Sequence, residues 1–465
     1  MDDTDRSGPD RRPGSAPVLR TPAAPATDDD LVLLAATLLF VNGQTTQRTI
    51  ETTERLAAAL GLRATLLPRW GELTVRIDAA SVKRIATETA DPVGIEMGKV
   101  AATTTVIDRF CDRRIDKATM GPALQAIVTR APVSLARFAL LAAAGAASLG
   151  VIFGTAHLLS LLLIALSAGA GACLRRFLAG ISRNPFIQPF CAALLAGLVG
   201  AIVVQLQLST AQRLVAVCPC MVLVPGPHLL NGAIDLARAR IALGAARMAY
   251  AFLIIVMICA GLLLGLSLGG ASLPVSGTSH PVPLLYDVAA AGVAVAAYGT
   301  FFAMPWRSLP VPVIIGMIAH AARWLTIAVF DGSVEAGALV ACLLVGTVVT
   351  PLADRTRMPF AAFAFASVVS LIPGVFLFRM GGGLLQIATL GSAASPDLLT
   401  STVSDGMTAV LIMLAMTFGL IFPKMLIESL WPGVGGPGVV GPGVVGPGVV
   451  GSGVVGSGVG GNRHG

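Results

Sequence analysis

Charge is scarce in this chain, and scarcest where the chain is longest. Charged residues make up 12% of its 465 positions, about half the share of an average soluble domain. They are also segregated. The first 137 residues hold 18 Lys and Arg against 17 Asp and Glu, and the remaining 328 hold 14 against 8. The formal net charge of +7 gathers into no basic block, so the electrostatic footprint of a nucleic-acid binder is missing. Histidine and cysteine are sparse and scattered. The 5 histidines make no HExxH pair, and the 7 cysteines include one CPC but no CxxC. Zinc-ligand, redox and disulfide-framework readings therefore fall away, and no metal or cofactor is expected. The GxxxxGK[ST] loop that cradles nucleotide phosphates is absent. The first 137 residues hold no histidine and no nucleophile elbow, so no catalytic residues are assigned and an enzyme is not expected.

What the chain has in plenty is apolar sequence, 55% of all residues. Exposed to water, that composition would be adhesive. The sequence predicts a mostly α-helical polytopic membrane protein, with about ten transmembrane helices after a small soluble α+β domain.

Residues 1–27 are rich in proline, glycine and charge and are expected to be disordered. No apolar stretch follows directly behind a basic start, so they do not read as a signal peptide. Residues 28–134 read as a cytoplasmic α+β domain. Asp28, Asp29 and Asp30 suit a helix N-terminus, and the apolar run Leu31–Val41 is too short to span a bilayer. Asn42 and Gly43 interrupt it, a second helix follows, and Gly61 is placed to end that helix. Ala64–Leu67 and Leu73–Ile77 suggest a hairpin. Helical pattern returns over residues 92–129. There Asp108, Asp112 and Asp116, spaced by four, are predicted to share one solvated helix face.

From Leu135 onward the chain is a series of apolar runs. Ten candidate spans lie at about 135–154, 156–174, 187–207, 212–232, 244–268, 284–304, 310–328, 333–351, 359–379 and 407–427. They group as two five-helix membrane halves, 135–268 and 284–428, joined by an outer linker, 269–283. Five is odd, so homologous halves would be inverted repeats. With the head inside, the inner connections carry Arg175, Arg176, Arg183, Arg238, Arg240, Arg247, Arg307, Arg355, Arg357 and Lys424, as the positive-inside rule requires. Both termini are then cytoplasmic and the membrane is the inner, plasma membrane. Residues 429–465 repeat GPGVV and GSGVV, a low-complexity tail without the pattern of a further span.

An apolar run into Pro-Gly occurs in the fourth span (Pro225, Gly226) and again in the ninth (Pro373, Gly374). Proline removes a backbone donor and glycine admits unusual geometry. A helix broken at membrane depth is tolerated where it is buried in protein or lines a cavity. A simple kink is the other reading. Asn231, Gly232 and Asp235 follow the first pair. Asp235 either pairs with Arg238 near the inner end of the span or serves a substrate amine or a proton. His320 and Gln386 are further intramembrane polar candidates, with Asp287 placed near the outer edge.

Taken together these residues resemble the threonine/serine exporter family. FVNGQTTQRTIETTERLAAALGL and GELTVRID resemble its opening helices and strand. LVPGPHLLNGAIDLARARIALGAAR resembles its PG…NG…D…G…R signature, and IPGVFLFRM resembles the Pro-Gly element of its second half. The likeness covers residues of about 30 to 428. It implies export of L-threonine and L-serine from the cytoplasm, with protons as the coupling ion and the lipid bilayer as surroundings. Asn42, Gly43 and Arg48 would carry the pattern in the head. Pro225, Gly226, Asn231, Gly232, Asp235, Pro373 and Gly374 would carry it in the body. Pro227, which doubles the first break, departs from it. Export of another small metabolite, such as a dicarboxylate or short peptide, and an enzyme or sensor using the head remain alternatives. A homo-oligomer is left open.

Overall fold

The computed structural model describes residues 27–79, 82–155, 157–182, 184–207, 212–273, 282–356 and 359–430. The expected disordered segment and the repeat tail therefore lie outside the described residues, apart from Thr27 and the end of the last helix.

The N-terminal region is α+β. Helix α1 (Asp28–Val41) opens with a capping box, in which Thr27 and Asp30 satisfy each other's backbone amides. Its apolar residues are buried almost all round, Phe40 completely, so α1 is the core helix of the head. Helix α2 (Thr46–Ala59) stops where Gly61 turns to φ +77°. Three antiparallel strands follow, β1 (Arg63–Arg69), β2 (Gly71–Ala79) and β3 (Val82–Ala90), in that order. In β2, Leu73, Val75 and Ile77 alternate into the core, the period of a half-buried strand. Strand β3 is a third member beyond the expected hairpin. Helices α3 (Met97–Cys111) and α4 (Lys117–Val128) close the region.

One expectation fails here. Asp108, Asp112 and Asp116 share no helix face. Helix α3 ends at Cys111, Asp112 is its C-cap, Arg113 turns to φ +57°, and Asp116 is the N-cap of α4. Nor is Asp108 solvated: it is 3% exposed and paired with Arg55.

The membrane helices are α5 (Leu135–Ile152), α6 (Leu158–Ile181), α7 (Ile187–Gln205), α8 (Gln212–Met221), α9 (Gly226–Ala237), α10 (Ile241–Leu268), α11 (Leu284–Phe301), α12 (Pro310–Ala328), α13 (Val334–Thr356), α14 (Phe360–Val368), α15 (Gly374–Leu390) and α16 (Pro396–Leu430). Among the described residues nine are long and apolar enough to cross a membrane, and the pair α8–α9, bent by 54°, is apolar enough to make a tenth if it crosses as one broken span. The protein is polytopic. Seven expected spans match single helices to within a few residues. The ninth does not run 359–379: α14 and a 3-10 turn end at Leu371, and a separate helix starts at Gly374. The tenth is longer than expected, reaching back to Pro396.

Helices α7 and α10 meet through small residues. A Cβ at Gly261 or Gly265 would lie 2.3 Å from the carbonyl oxygen of Phe190 or Leu194. Lipid supplies no hydrophobic drive between helices, so such close approach is what dispersion needs. Gly265→Ala is expected to destabilise the purified protein by about 1–3 kcal/mol through overpacking. Thermal unfolding in detergent tests this, and an unchanged midpoint would mean the seam gives way freely.

Candidate functional site

Both Pro-Gly pairs break their helices, and by the same turn. At the first, Leu223 and Val224 donate to the carbonyls three residues back, Cys220 and Met221, and Gly226 N–H donates to Val224 at 2.9 Å. Pro225 sits at φ −83°, ψ 62°, an inverse γ-turn. At the second, Ile372 donates to Val369 and Gly374 N–H donates to Ile372 at 2.8 Å, with Pro373 at φ −76°, ψ 41°. Each glycine is the first residue of the half-helix beyond its break. These N-termini leave amides outside the helical ladder.

The two breaks lock into each other. A Cβ on Gly226 would lie 1.3 Å from the Phe365 ring, in the half-helix before the second break. A Cβ on Gly374 would lie 2.8 Å from Met221, the last residue before the first. Each glycine is thus the notch that receives the other broken helix. Tyr298 of α11 donates its hydroxyl to the Met221 carbonyl at 2.8 Å, a second donor there beside Val224 N–H.

A buried polar chain flanks the second break. His320 of α12 is fully buried. Its Nδ1 lies 2.9 Å from Asp287 Oδ2 on α11, and its Nε2 lies 2.6 Å from Ser370 Oγ in the turn before Pro373. An ionised Asp287, which only accepts, would take Nδ1–H as its donor and leave Nε2 to accept from the serine hydroxyl. Asp287, in the first turn of α11, is 2% exposed.

The head docks on α9 and α10. Asn231 Nδ2 donates to the Gly43 carbonyl at 3.1 Å, and Thr46 Oγ1 donates to Asp235 Oδ2 at 2.9 Å. Asn42 turns its side chain back to the Leu38 carbonyl, while its own carbonyl accepts from Glu96 N–H. Asp235 is 1% exposed and lies 3.6 Å from both Arg240 and Arg247. Its cations are these two, not Arg238, which pairs with Glu428. Gly232 faces Met248 and Arg247 of α10 at 3.1–3.2 Å from where a Cβ would stand. The head also reaches the end of α11, where Met97 N–H donates to the Phe302 carbonyl at 2.8 Å.

The sequence candidates thus sort into three groups. Pro225, Gly226, Pro373 and Gly374 form the crossing, with His320 beside it. Asn42, Gly43, Asn231, Gly232 and Asp235 form the head–body joint. Arg48 pairs with Glu51 on α2, Asp108 and Asp112 stay within the head, and Gln386 donates to the Leu273 carbonyl, away from both breaks. Phe365, Met221, Tyr298, Ser370 and Thr46 were missed by sequence reasoning. Arg247, the closing arginine of the PG…NG…D…G…R run, was read only as an inner-side charge, not as a partner of Asp235. Among the described residues no three His, Cys, Asp or Glu side chains gather as a metal site.

Comparison with known proteins finds two family matches along the chain. A family model described as a threonine/serine exporter matches residues 30–269, and a second, "Threonine/Serine exporter, ThrE", matches residues 287–426. A Haemophilus influenzae protein described as uncharacterized is 26% identical over 149 residues, 32% of this chain and 49% of that relative. The chain therefore spans about half the length of this curated relative. No solved structure matches. The first model ends where α10 ends and the second begins within α11, so each carries one Pro-Gly break, and the chain belongs to the threonine/serine exporter family.

Proposed function

We propose that this protein exports small neutral hydroxy amino acids, L-threonine and L-serine, from the cytoplasm by alternating access across the inner membrane. The observation that carries the reading is the reciprocal crossing of two broken helices. It places released backbone groups and helix N-termini together at membrane depth, where discontinuous helices bind substrates and ions in secondary transporters.

In this reading the head spans residues 28–134 and the membrane halves are 135–268 and 284–428, related as inverted repeats. Matching pairs of helices pack alike: α7 on α10 as α13 on α16, and α6 on α8 as α12 on α14, while α5 packs on α11. The head lies on the cytoplasmic face, with both termini on that side. It bridges α9, α10 and the end of α11, so rocking of the halves must open or shear the joint. Asn231 and Asp235 serve that joint rather than the solute.

Protons are the coupling ion, and the Asp287–His320–Ser370 chain is their place. His320→Gln is expected to lower uphill efflux by about tenfold or more, at least about 1.4 kcal/mol on the coupled step, while downhill exchange persists. Equal loss of both modes would take His320 out of the coupling role.

The test of the function itself is efflux of labelled threonine and serine from dipeptide-loaded cells, with and without the protein. Faster efflux that vanishes when the proton gradient is collapsed is the expected result. No change with correctly inserted protein would remove these two amino acids as substrates.

A further inference from the structure

Between α9 and α10 the chain turns through Arg238, Ala239 and Arg240, with Ala239 held at φ +58°. A residue with a side chain keeps that conformation only where its surroundings fix it. Here both neighbours are anchored, in opposite directions. Arg240 donates to Gln47 of the head and lies 3.6 Å from Asp235. Arg238 reaches the second half, where its Nη2 lies 2.5 Å from Glu428 Oε2, two residues before the end of α16. Glu428 gives its other oxygen to Lys424, one turn back on α16. The Lys424 ammonium stands 4.9 Å over the ring of Phe360, the first residue of α14. One carboxylate thus ties α9 to α16 and, through Lys424, to α14, at the end of the body where the head docks.

The opposite corner is held differently. Arg238 stands twelve residues beyond Gly226, and Gln386 stands twelve beyond Gly374. Gln386 also crosses to the other half. Its Nε2 donates to the Leu273 carbonyl at 3.0 Å, just past the end of α10. Each helix that follows a break therefore reaches, from the same position, the end of the other half's last helix. One corner is closed by two charge-assisted contacts and the other by a single neutral hydrogen bond. Charge-assisted bonds are roughly twice as strong. Arg238 and Glu428 are 22% and 25% exposed, so water can take both charges when they part, and neither is stranded in a dry interior. Pairs this open add little to stability. A contact that must make and break in every cycle needs no more.

We propose that Arg238, Glu428 and Lys424 form the inner gate of the exporter, a charged latch that must part before a solute enters between the halves from the head side, with Gln386 and the Leu273 carbonyl as its outer counterpart. This rests on the export function and the two halves proposed above. The latch shares its turn with Arg240, so parting it pulls on the contact between Arg240 and the head.

The full chain in proteoliposomes, inserted with the head outward, tests it. Glu428→Gln removes both contacts of the latch and favours the conformation open to the head side. For threonine supplied on that side, the concentration giving half-maximal flux is expected to fall about two- to fivefold, the shift that one partly exposed ion pair can set. Gln386→Ala loosens the outer corner and is expected to raise it. A merely structural role for the two residues would not split the sign. Shifts in the same direction, or no shift in folded Glu428→Gln, overturn the latch and leave the exporter standing. A bridge across the corner tests the same point without reading an affinity. Arg238→Cys with Glu428→Cys, joined by a bifunctional thiol reagent, is expected to lose about tenfold or more in flux and to recover on reduction. The reagent should leave each single variant at its own rate. A bridged protein that transports as fast as before bridging overturns the latch, since its corner does not part in the cycle. Wild-type vesicles that move neither threonine nor serine overturn the exporter and the latch with it.

Discussion

Gly226→Ala is expected to abolish flux and to lower thermal stability by about 3 kcal/mol or more, the upper end of what overpacking costs. The added carbon would lie 1.3 Å from one ring carbon of Phe365 and 1.8 Å from another. Those are bond lengths, so the ring or the helix must move. Phe365 is 3% exposed and its ring lies tilted against Phe302, centroids 5.7 Å apart, so the ring has no free side to turn to. Alanine gains at most about 1 kcal/mol over glycine in helix propensity, and less at a helix start. Steric exclusion therefore wins. Shortening the ring should relieve it: Gly226→Ala with Phe365→Ala is expected to recover part of the stability and some flux. Thermal unfolding and flux on purified single and double variants check both statements. A fully active Gly226→Ala protein would mean that the two broken helices do not cross this closely.

Asp235→Ala is expected to cost about 3–5 kcal/mol, because it removes one partner of a buried pair and strands the other. Arg247 is 2% exposed and its carboxylate partner is Asp235. It also lies over the face of Phe40 in the head, 5.3 Å away. Asp235→Asn should be milder, since an amide oxygen still accepts from Thr46, yet Arg247 keeps an unbalanced charge. Replacing both residues, Asp235→Asn with Arg247→Met, is expected to restore most of the loss, as removal of a whole buried pair often does. A solute-binding carboxylate would behave differently. Asp235→Asn would then fold as wild type and shift only the half-saturating concentration. Thermal midpoints beside flux curves separate the two.

Much of the fold was legible because lipid leaves few choices. A run of some twenty apolar residues has to be a helix, and seven spans needed no revision. The Pro-Gly pairs were legible as breaks, but not what each break receives. The partners Gly226 and Phe365 are far apart in the chain, and no local pattern links them. In the ninth span the Pro373–Gly374 break was legible, but not that the helix beyond it runs on to Leu390. Strand β3 was missed because most of its residues are exposed and polar, Lys83 and Arg84 among them, so its alternation carries no apolar signal. The Asp108–Asp116 spacing misled because the turn between the helices is made by Arg113 at positive φ, where glycine or asparagine is the usual marker. Asp287 and His320 were each noticed, but their contact belongs to the packing of α11 on α12.

The interlocked notches also impose an order on synthesis. When α8 and α9 leave the ribosome, the side chain that fills the Gly226 notch is about 140 residues from being made. At about 5–20 residues per second that is a wait of roughly 7–30 s. Through that interval the first break stands in the bilayer with its notch empty and its loosened backbone unshielded by protein.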